Sequence, residues 1–380
     1  MTFNLVIPVY NRLHSLRRLM RSIERTIIKG NMNLYISCDG GASQDVVTFV
    51  NNYSWEYGRC EVIQQEVQLG VDQHNLACMK LAEQLGNVVV LEDDLVVSPA
   101  FQSYLLSMES LAKSEKNLAG ISLYRYPMVE QDHFSFELIP NDEFVYYQQR
   151  SSSNGCFYTW DMLQPYFEFL ETFNSDFNNY VLPQNVMNWG DEVWEKSFYC
   201  YVQQANKYVA FPRYSLTSDF ADIGVHMKKQ TNKYAHQSML FLGKKFSAPN
   251  QLQDSDNVYD AFYELVGKTY KKYVPELIEY DLEVDIYGNK NLRDITAKYV
   301  LSSKRCATPI LGWARRLKPE VNNILLGEQG DFYSLGLKEH FSNKAMNEGL
   351  REKFLYYYPD TRLSILIKMK FSEIISRFRK

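Results

Sequence analysis

The sequence predicts an α/β fold: a Rossmann-like, mostly parallel sheet with helices on both faces, followed by a mainly helical C-terminal region. Three observations predict it. Short apolar runs alternate with amphipathic stretches through the first 95 residues, the pattern of right-handed βαβ crossovers. The run Val88–Leu91 is apolar without interruption, as in a central strand buried on both faces. Polar and charged clusters follow directly after the predicted strands, at the sheet edge where open α/β sheets bind ligands.

The elements follow in order. Phe3–Val9 reads as a buried strand containing Pro8 near its end. Leu16, Leu19, Met20, Ile23 and Ile27 recur at helical spacing and predict a helix over about 14–28. Leu34–Cys38 is the second strand, ending at Asp39-Gly40-Gly41, and Ser43 is placed to cap a helix carrying Val46, Val47 and Val50. Cys60–Gln65 reads as a third strand, 72–85 as a helix and Val88–Leu91 as the fourth strand. Beyond it the alternation loosens. Helices are expected over 100–114, 160–170 and 191–204, and strands over 118–124, 143–149 and 207–215. Ser151–Gly155 and the polar stretch 217–257 read as loops, and past 258 the alternation is lost.

Composition narrows the function. The chain has 380 residues, 46% hydrophobic and 23% charged, with 30 Gly and Pro together, which excludes a disordered or collagenous protein. A net charge of −4 gives no support to nucleic-acid binding. Six cysteines without a C-x-x-C pair argue against a zinc site and predict buried free thiols in a reducing compartment. No basic, apolar leader opens the sequence and no run of about 18 apolar residues occurs, so a cytoplasmic protein is expected. The absence of G-x-x-x-x-G-K-[ST] and of G-x-G-x-x-G after a strand removes P-loop and dinucleotide chemistry.

Three strand ends carry the chemistry. Glu92-Asp93-Asp94 places three carboxylates side by side, and their repulsion is relieved by a cation. Hard oxygen donors favour Mg²⁺ or Mn²⁺, completed by phosphate oxygens and water; the other reading is a solvated acidic turn. Asp39 is suited to a base edge or ribose, or equally to a plain Asp-Gly turn. Pro8-Val9-Tyr10-Asn11-Arg12 ends the first strand, and Arg12 is suited to a phosphate.

These segments resemble a known family. Val6-Ile7-Pro8-Val9-Tyr10-Asn11-Arg12, Cys38-Asp39-Gly40-Gly41, Leu69-Gly70 and Val90-Leu91-Glu92-Asp93-Asp94-Leu95-Val96-Val97-Ser98-Pro99 together are similar to GT-A fold glycosyltransferases. The opening resembles inverting family 2. The acidic motif with Phe101 resembles N-acetylglucosaminyltransferase I and its relatives more closely, with likeness over roughly 3–245. The resemblance implies that Asp94 binds the metal. It also implies that Glu92 and Asp93 contact ribose, donor sugar or metal-bound water, that Asp39 reads uracil, and that Tyr10, Asn11, Arg12 and Gly40 help hold the nucleotide. The expected organisation is then a catalytic domain over 1–245, with a nucleotide-sugar half (1–98) and an acceptor half (99–245), and a C-terminal extension over 246–380.

An inverting transfer also needs a base for the acceptor hydroxyl. Trp189-Gly190-Asp191-Glu192-Val193-Trp194 stands where the family carries Trp-Asp-Asp-Trp, so Asp191, or Glu192 after a slip of one, is the expected base. Trp189 and Trp194 would act as apolar walls or a sugar platform, and a helix-start role for the two acids is the alternative. His226 is a candidate second metal or diphosphate ligand, and His74 a candidate for facing the donor. Residues 361–380 carry six cationic residues against Glu373 alone, which suits peripheral contact with an anionic membrane face. The expected activity is transfer of a hexosyl or N-acetylhexosaminyl unit from a UDP-sugar to a glycan or glycolipid, as in polysaccharide biosynthesis. Mg²⁺-dependent nucleotidyl or phosphoryl transfer, and non-catalytic carbohydrate binding on the same fold, are the competing readings.

Overall fold

The computed structural model describes residues 2–26, 30–220, 222–223, 238, 240–243, 245–347, 349–359 and 362–378. They form two compact units. The first comprises 1–131 with 136–279, the second 132–135 with 280–380.

The first unit runs β1 (Phe3–Val9), α1 (Leu13–Glu24), β2 (Met32–Cys38), α2 (Gln44–Asn51), β3 (Cys60–Gln64), α3 (Gly70–Lys80), α4 (Ala82–Leu85) and β4 (Asn87–Val90). It continues with β5 (Leu95–Val97), α5 (Phe101–Ser107), α6 (Glu109–Ser114), β6 (Leu118–Ser122), β7 (Val145–Gln148), β8 (Cys156–Thr159), α7 (Trp160–Thr172) and α8 (Gln184–Met187). It ends with α9 (Trp194–Gln204), β9 (Tyr208–Pro212), β10 (Thr217–Asp219), β11 (Val258–Tyr259) and α10 (Gly267–Tyr273). Nine strands make one sheet in the order β11-β7-β9-β6-β8-β4-β1-β2-β3. β1 through β4, β6 and β9 all point one way, and β8 runs against its neighbours β4 and β6. The predicted mixed α/β architecture is therefore present.

Burial explains why these residues form these strands. Leu5, Val6 and Ile7 are wholly buried, and so are Val88 and Val89, because both sheet faces are covered. Leu16, Leu19, Met20 and Ile23 turn one face of α1 onto the sheet. α9 begins at Trp194 rather than 191. Its first amide is capped across the fold by Asp72, whose Oδ1 accepts from Trp194 N at 3.0 Å, and residues 190–193 form a turn before it. The boundary expected at 245 falls instead after Glu279, because β11 pairs with β7 and completes the sheet.

The second unit contains a four-stranded sheet, β12 (Leu282–Asp285), β13 (Tyr299–Ser302), β15 (Leu311–Trp313) and β16 (Tyr333–Leu337), ordered β12-β13-β16-β15. Between these strands come β14 (Lys304–Cys306) and α11 (Val321–Leu325), and after them β17 (Phe341–Met346), which pairs with β14, then α12 (Leu350–Tyr357) and α13 (Leu363–Phe378). The helical expectation for 246–380 thus holds at the chain end, whereas 282–346 is organised by strands of three to six residues, too short to show a period. Asp285 is fully buried and paired with Lys304 at 2.7 Å, with Ser302 donating to the same carboxylate oxygen. No helix among the described residues is long and apolar enough to cross a membrane. Cys38, Cys78, Cys156 and Cys200 are buried free thiols as expected, whereas Cys60 is exposed.

Candidate active site

The parallel strands deliver their C-terminal ends to one edge, and there β1 and β4 bring Arg12 and the acidic triplet together. Arg12 follows β1 and precedes α1. Its guanidinium forks across two carboxylates, donating to Asp94 Oδ2 at 2.5 Å and to Asp93 Oδ1. Asp93 and Asp94 are both buried. Burial alone would disfavour the Arg12 charge, but Asp93 and Asp94 outweigh it and hold its pKa above the ordinary value. The reverse holds for the acids. Burial, with repulsion from Asp94, pushes Asp93 up to about 7 despite Arg12. Glu92 is raised well above its ordinary value by burial and by repulsion from Asp94 and Glu195.

A second arginine completes the site. Arg18, on the next-but-one turn of α1, pairs with Asp222, which also accepts from Ser15 Oγ at 2.6 Å. Burial opposes ionisation of Asp222, yet these two donors hold its pKa below the usual carboxylate value. Arg18 also lies 3.9 Å over the Phe220 ring. β5, directly after the triplet, pairs with β10, and Phe220 N donates to Asp94 O at 3.3 Å, so the segment 217–220 is tied to the acidic turn.

The fifth acid of the site is Glu195. It lies in the first turn of α9, half-buried, hydrogen-bonded to Ser153 and close enough to Glu92 for each to feel the other's charge. Burial and repulsion from Asp72 push it up to about 7. The sequence reading missed Glu195, as it missed Arg18 and Asp222. Glu195 lies three residues beyond Glu192 in the same acidic run, and that proximity was the only available signal.

Several expected site residues stand elsewhere. Asp191 is not walled by tryptophans: its side chain is 71% exposed and paired with Lys196 at 2.7 Å. Glu192 is exposed as well. Trp194 is buried edge-on against Phe198, so its ring belongs to the core and offers no platform to a sugar. Trp189 is half-buried against Tyr199. His226 lies outside the described residues. His74 is buried and bonded through Nε2 to Ser37 Oγ at 2.8 Å, behind the second strand. Pro8 lies inside β1, Tyr10 is half-buried with its hydroxyl accepting from Gln68, and Asn11 is exposed.

Asp39 ends β2 and works as a clamp. Its Oδ1 accepts from Gly40 N at 2.9 Å and Leu69 N at 2.7 Å, and Oδ2 from Gly70 N at 3.0 Å. Gly40 is required by this clamp: a Cβ there would come within 2.1 Å of the Val67 carbonyl carbon. The close approach that the glycine permits is therefore to the 67–70 backbone. Asp39→Ala is expected to leave three amides without their acceptor and to cost about 2–4 kcal/mol of stability. Asp39→Asn, which keeps one oxygen, should lose less than half of that; urea unfolding of both variants checks it.

The donor chemistry bears on a metal. After burial, repulsion from Asp94 is a cause of the raised pKa of both Glu92 and Asp93, and a cation beside the triplet would relieve it. No group of three or more His, Cys, Asp or Glu side chains placed to hold an ion exists among the described residues. Carboxylate oxygens are the donor type that a hard divalent ion takes, with ligand phosphates and water completing its shell.

No protein-family model matches the chain, and a search of curated proteins finds no match. Solved structures with a similar backbone include Staphylococcus aureus TarS 1–349 in complex with UDP-GlcNAc (14% identity, 61% of this chain, 62% of that one, TM-score 0.37). They also include the mannosyltransferase PcManGT of Pyrobaculum calidifontis with GDP-Man and Mn²⁺ (10%, 56% and 58%, 0.35) and mouse xyloside xylosyltransferase 1 (10%, 55% and 84%, 0.35). The match spans about three fifths of the TarS 1–349 chains. At these scores the likeness carries no functional weight, and the site residues must carry the reading.

Proposed function

We propose that this chain is an inverting glycosyltransferase of the GT-A type that moves a sugar from a nucleotide donor, UDP-linked, to a glycan or glycolipid hydroxyl. One observation carries the reading: a pair of buried carboxylates forked by an arginine at the C-terminal ends of β1 and β4, with a half-buried, near-neutral-pKa glutamate beside them. The sequence resemblance to GT-A enzymes over these strand ends supports it.

Asp94 would hold Mn²⁺ or Mg²⁺, which when bound supplies Lewis-acid stabilisation of the departing diphosphate. Arg12 would help neutralise the same leaving group, exchanging a carboxylate partner for it. Asp93 and Glu92 line the donor side. Asp39 fixes the turn where a nucleobase would rest. Glu195 is the group best placed to take the acceptor proton, since a carboxyl poised at about 7 is a competent base at neutral pH. Asp191 is the second candidate for that role, because its exposed side chain is open to an acceptor. In-line displacement with one such base inverts the anomeric carbon. Peripheral contact with an anionic membrane is part of this reading. Ile367, Phe371 and Ile374 are exposed at helical spacing on α13, beside Lys368 and Lys370.

Asp94→Ala is expected to lower Mn²⁺-dependent UDP-sugar turnover by about 10³-fold, with an unchanged circular dichroism spectrum. Undiminished turnover in a folded variant would refute the assignment.

A further inference from the structure

A second concave site lies at the same sheet edge, beyond the C-terminal ends of β6 and β9. It is a cavity of about 490 Å³ lined by Arg125, Glu137, Leu138, Arg213, Tyr214, Ser215 and neighbouring residues, Glu137 being its one acidic side chain among the lining residues. Neither arginine is neutralised tightly. Arg213 is fixed by three neutral oxygens, with Nε donating to Glu143 O at 2.5 Å and one terminal nitrogen donating to Ile139 O at 3.0 Å and Asn141 Oδ1 at 2.7 Å. Among the described residues no carboxylate pairs with it. Arg125 donates to Phe136 O at 2.9 Å, and its carboxylate neighbour Glu137 stands at 3.7 Å with a side chain 57% exposed. Bonds to carbonyls orient a guanidinium without cancelling its charge. Two oriented, under-compensated guanidinium groups in one cavity therefore make a preformed anion site.

The wall beside them is suited to a sugar. Tyr214 is 53% exposed and its ring is backed by Phe241, with centroids 5.8 Å apart and planes within 15°. A flat, supported, half-exposed ring is a stacking surface for a pyranose face. The cavity is also joined to the acidic turn. Arg125 N donates to Ser215 Oγ at 2.8 Å, and two residues on, Thr217 opens the ladder that pairs with β5, ending Asp219 against Leu95. From Ser215 to Asp219 is about 13 Å of extended chain. The cavity is therefore linked to the acidic turn through one short strand.

We infer that this cavity binds an anionic unit of the acceptor, a sugar carrying a phosphate or a carboxylate, with Arg125 and Arg213 on the anion and Tyr214 under the ring. The role as an acceptor subsite rests on the transferase reading; the anion site itself does not.

The test uses the full chain and three probes of equal ring size: glucose, glucose 6-phosphate and glucuronate, titrated calorimetrically. Glucose 6-phosphate or glucuronate should bind at least tenfold more tightly than glucose, and Arg125→Ala should remove that preference. Arg213→Lys, which keeps the charge but not the planar fork, should weaken it, with circular dichroism checking that the variant folds. Preference for the phosphate alone assigns a phosphorylated acceptor, and equal binding of glucuronate a carboxylated one. No preference over glucose, or an Arg125→Ala protein that retains the preference, overturns the inference. UDP with Mn²⁺, titrated in the same samples, reads the donor site separately. UDP binding without anion preference removes the cavity and keeps the transferase. Anion preference lost in Arg125→Ala, with no UDP-sugar turnover in the wild type, keeps the cavity and removes the transferase.

Discussion

Glu195→Gln is expected to lower kcat by about 10²–10⁴-fold while leaving KM for the donor within a few-fold, the loss typical of a removed general base. The wild-type rate should climb with pH through about 7, since the carboxylate must be ionised to accept the proton. The residual Glu195→Gln rate should lack that limb. Stability gives an independent reading of the same group. Its pKa is raised in the folded chain, so between the ordinary value and about 7 the folded state holds a proton that the unfolded state has released. Stability therefore falls as pH rises through that window. Glu195→Gln should accordingly melt higher than wild type at pH 8, by about 1–2 kcal/mol after allowance for partial exposure, and equal it near pH 5. Asp191→Asn supplies the contrast. Its carboxylate is exposed and paired with Lys196, so its removal should change kcat only a few-fold. If instead Asp191→Asn collapses the rate and Glu195→Gln spares it, the base is Asp191 and Glu195 is a buried acid of the fold.

The largest stability effect should come from Arg12. Arg12→Met leaves Asp93 and Asp94 buried without their shared counter-charge, a loss of about 3–5 kcal/mol for a broken buried pair. That corresponds to a fall in Tm of about 6–20 °C at the 2–4 °C per kcal/mol of large domains. The penalty should shrink as pH falls, because the unpaired carboxylates can take up protons, and scans at pH 8 and pH 5 distinguish this from a simple packing loss. Arg12→Lys keeps one positive charge but not the planar fork, so it should recover part of the stability. UDP affinity should fall in both variants, because both lose the fork proposed to meet the leaving group. A melting temperature in Arg12→Met equal to wild type at both pH values would remove Arg12 from the centre of the site.

The strand ends were legible because apolar runs and their boundaries are local properties. Phe3–Val9, Leu34–Cys38 and Val88–Val90 are strands because both of their faces are covered, and uninterrupted apolarity records that. β8 was not legible. Cys156–Thr159 has four residues and no period, yet it inserts antiparallel between β4 and β6 and joins the two halves of the sheet. The start of α9 was displaced for a similar reason: its cap, Asp72, lies 122 residues away in the chain.

The sequence by itself determined the parallel core, the placing of Arg12 and the acidic triplet at one edge, and the free thiols, because each depends on periodicity or on position after a strand. Only the tertiary structure decided which charges meet. It forked Arg12 over Asp93 and Asp94, turned Asp39 into a backbone clamp, left Asp191 in solvent and drew Glu195 beside Glu92. The pairing of charges and their pKa values depend on separation and burial in space, and a linear pattern carries neither for residues more than a few turns apart.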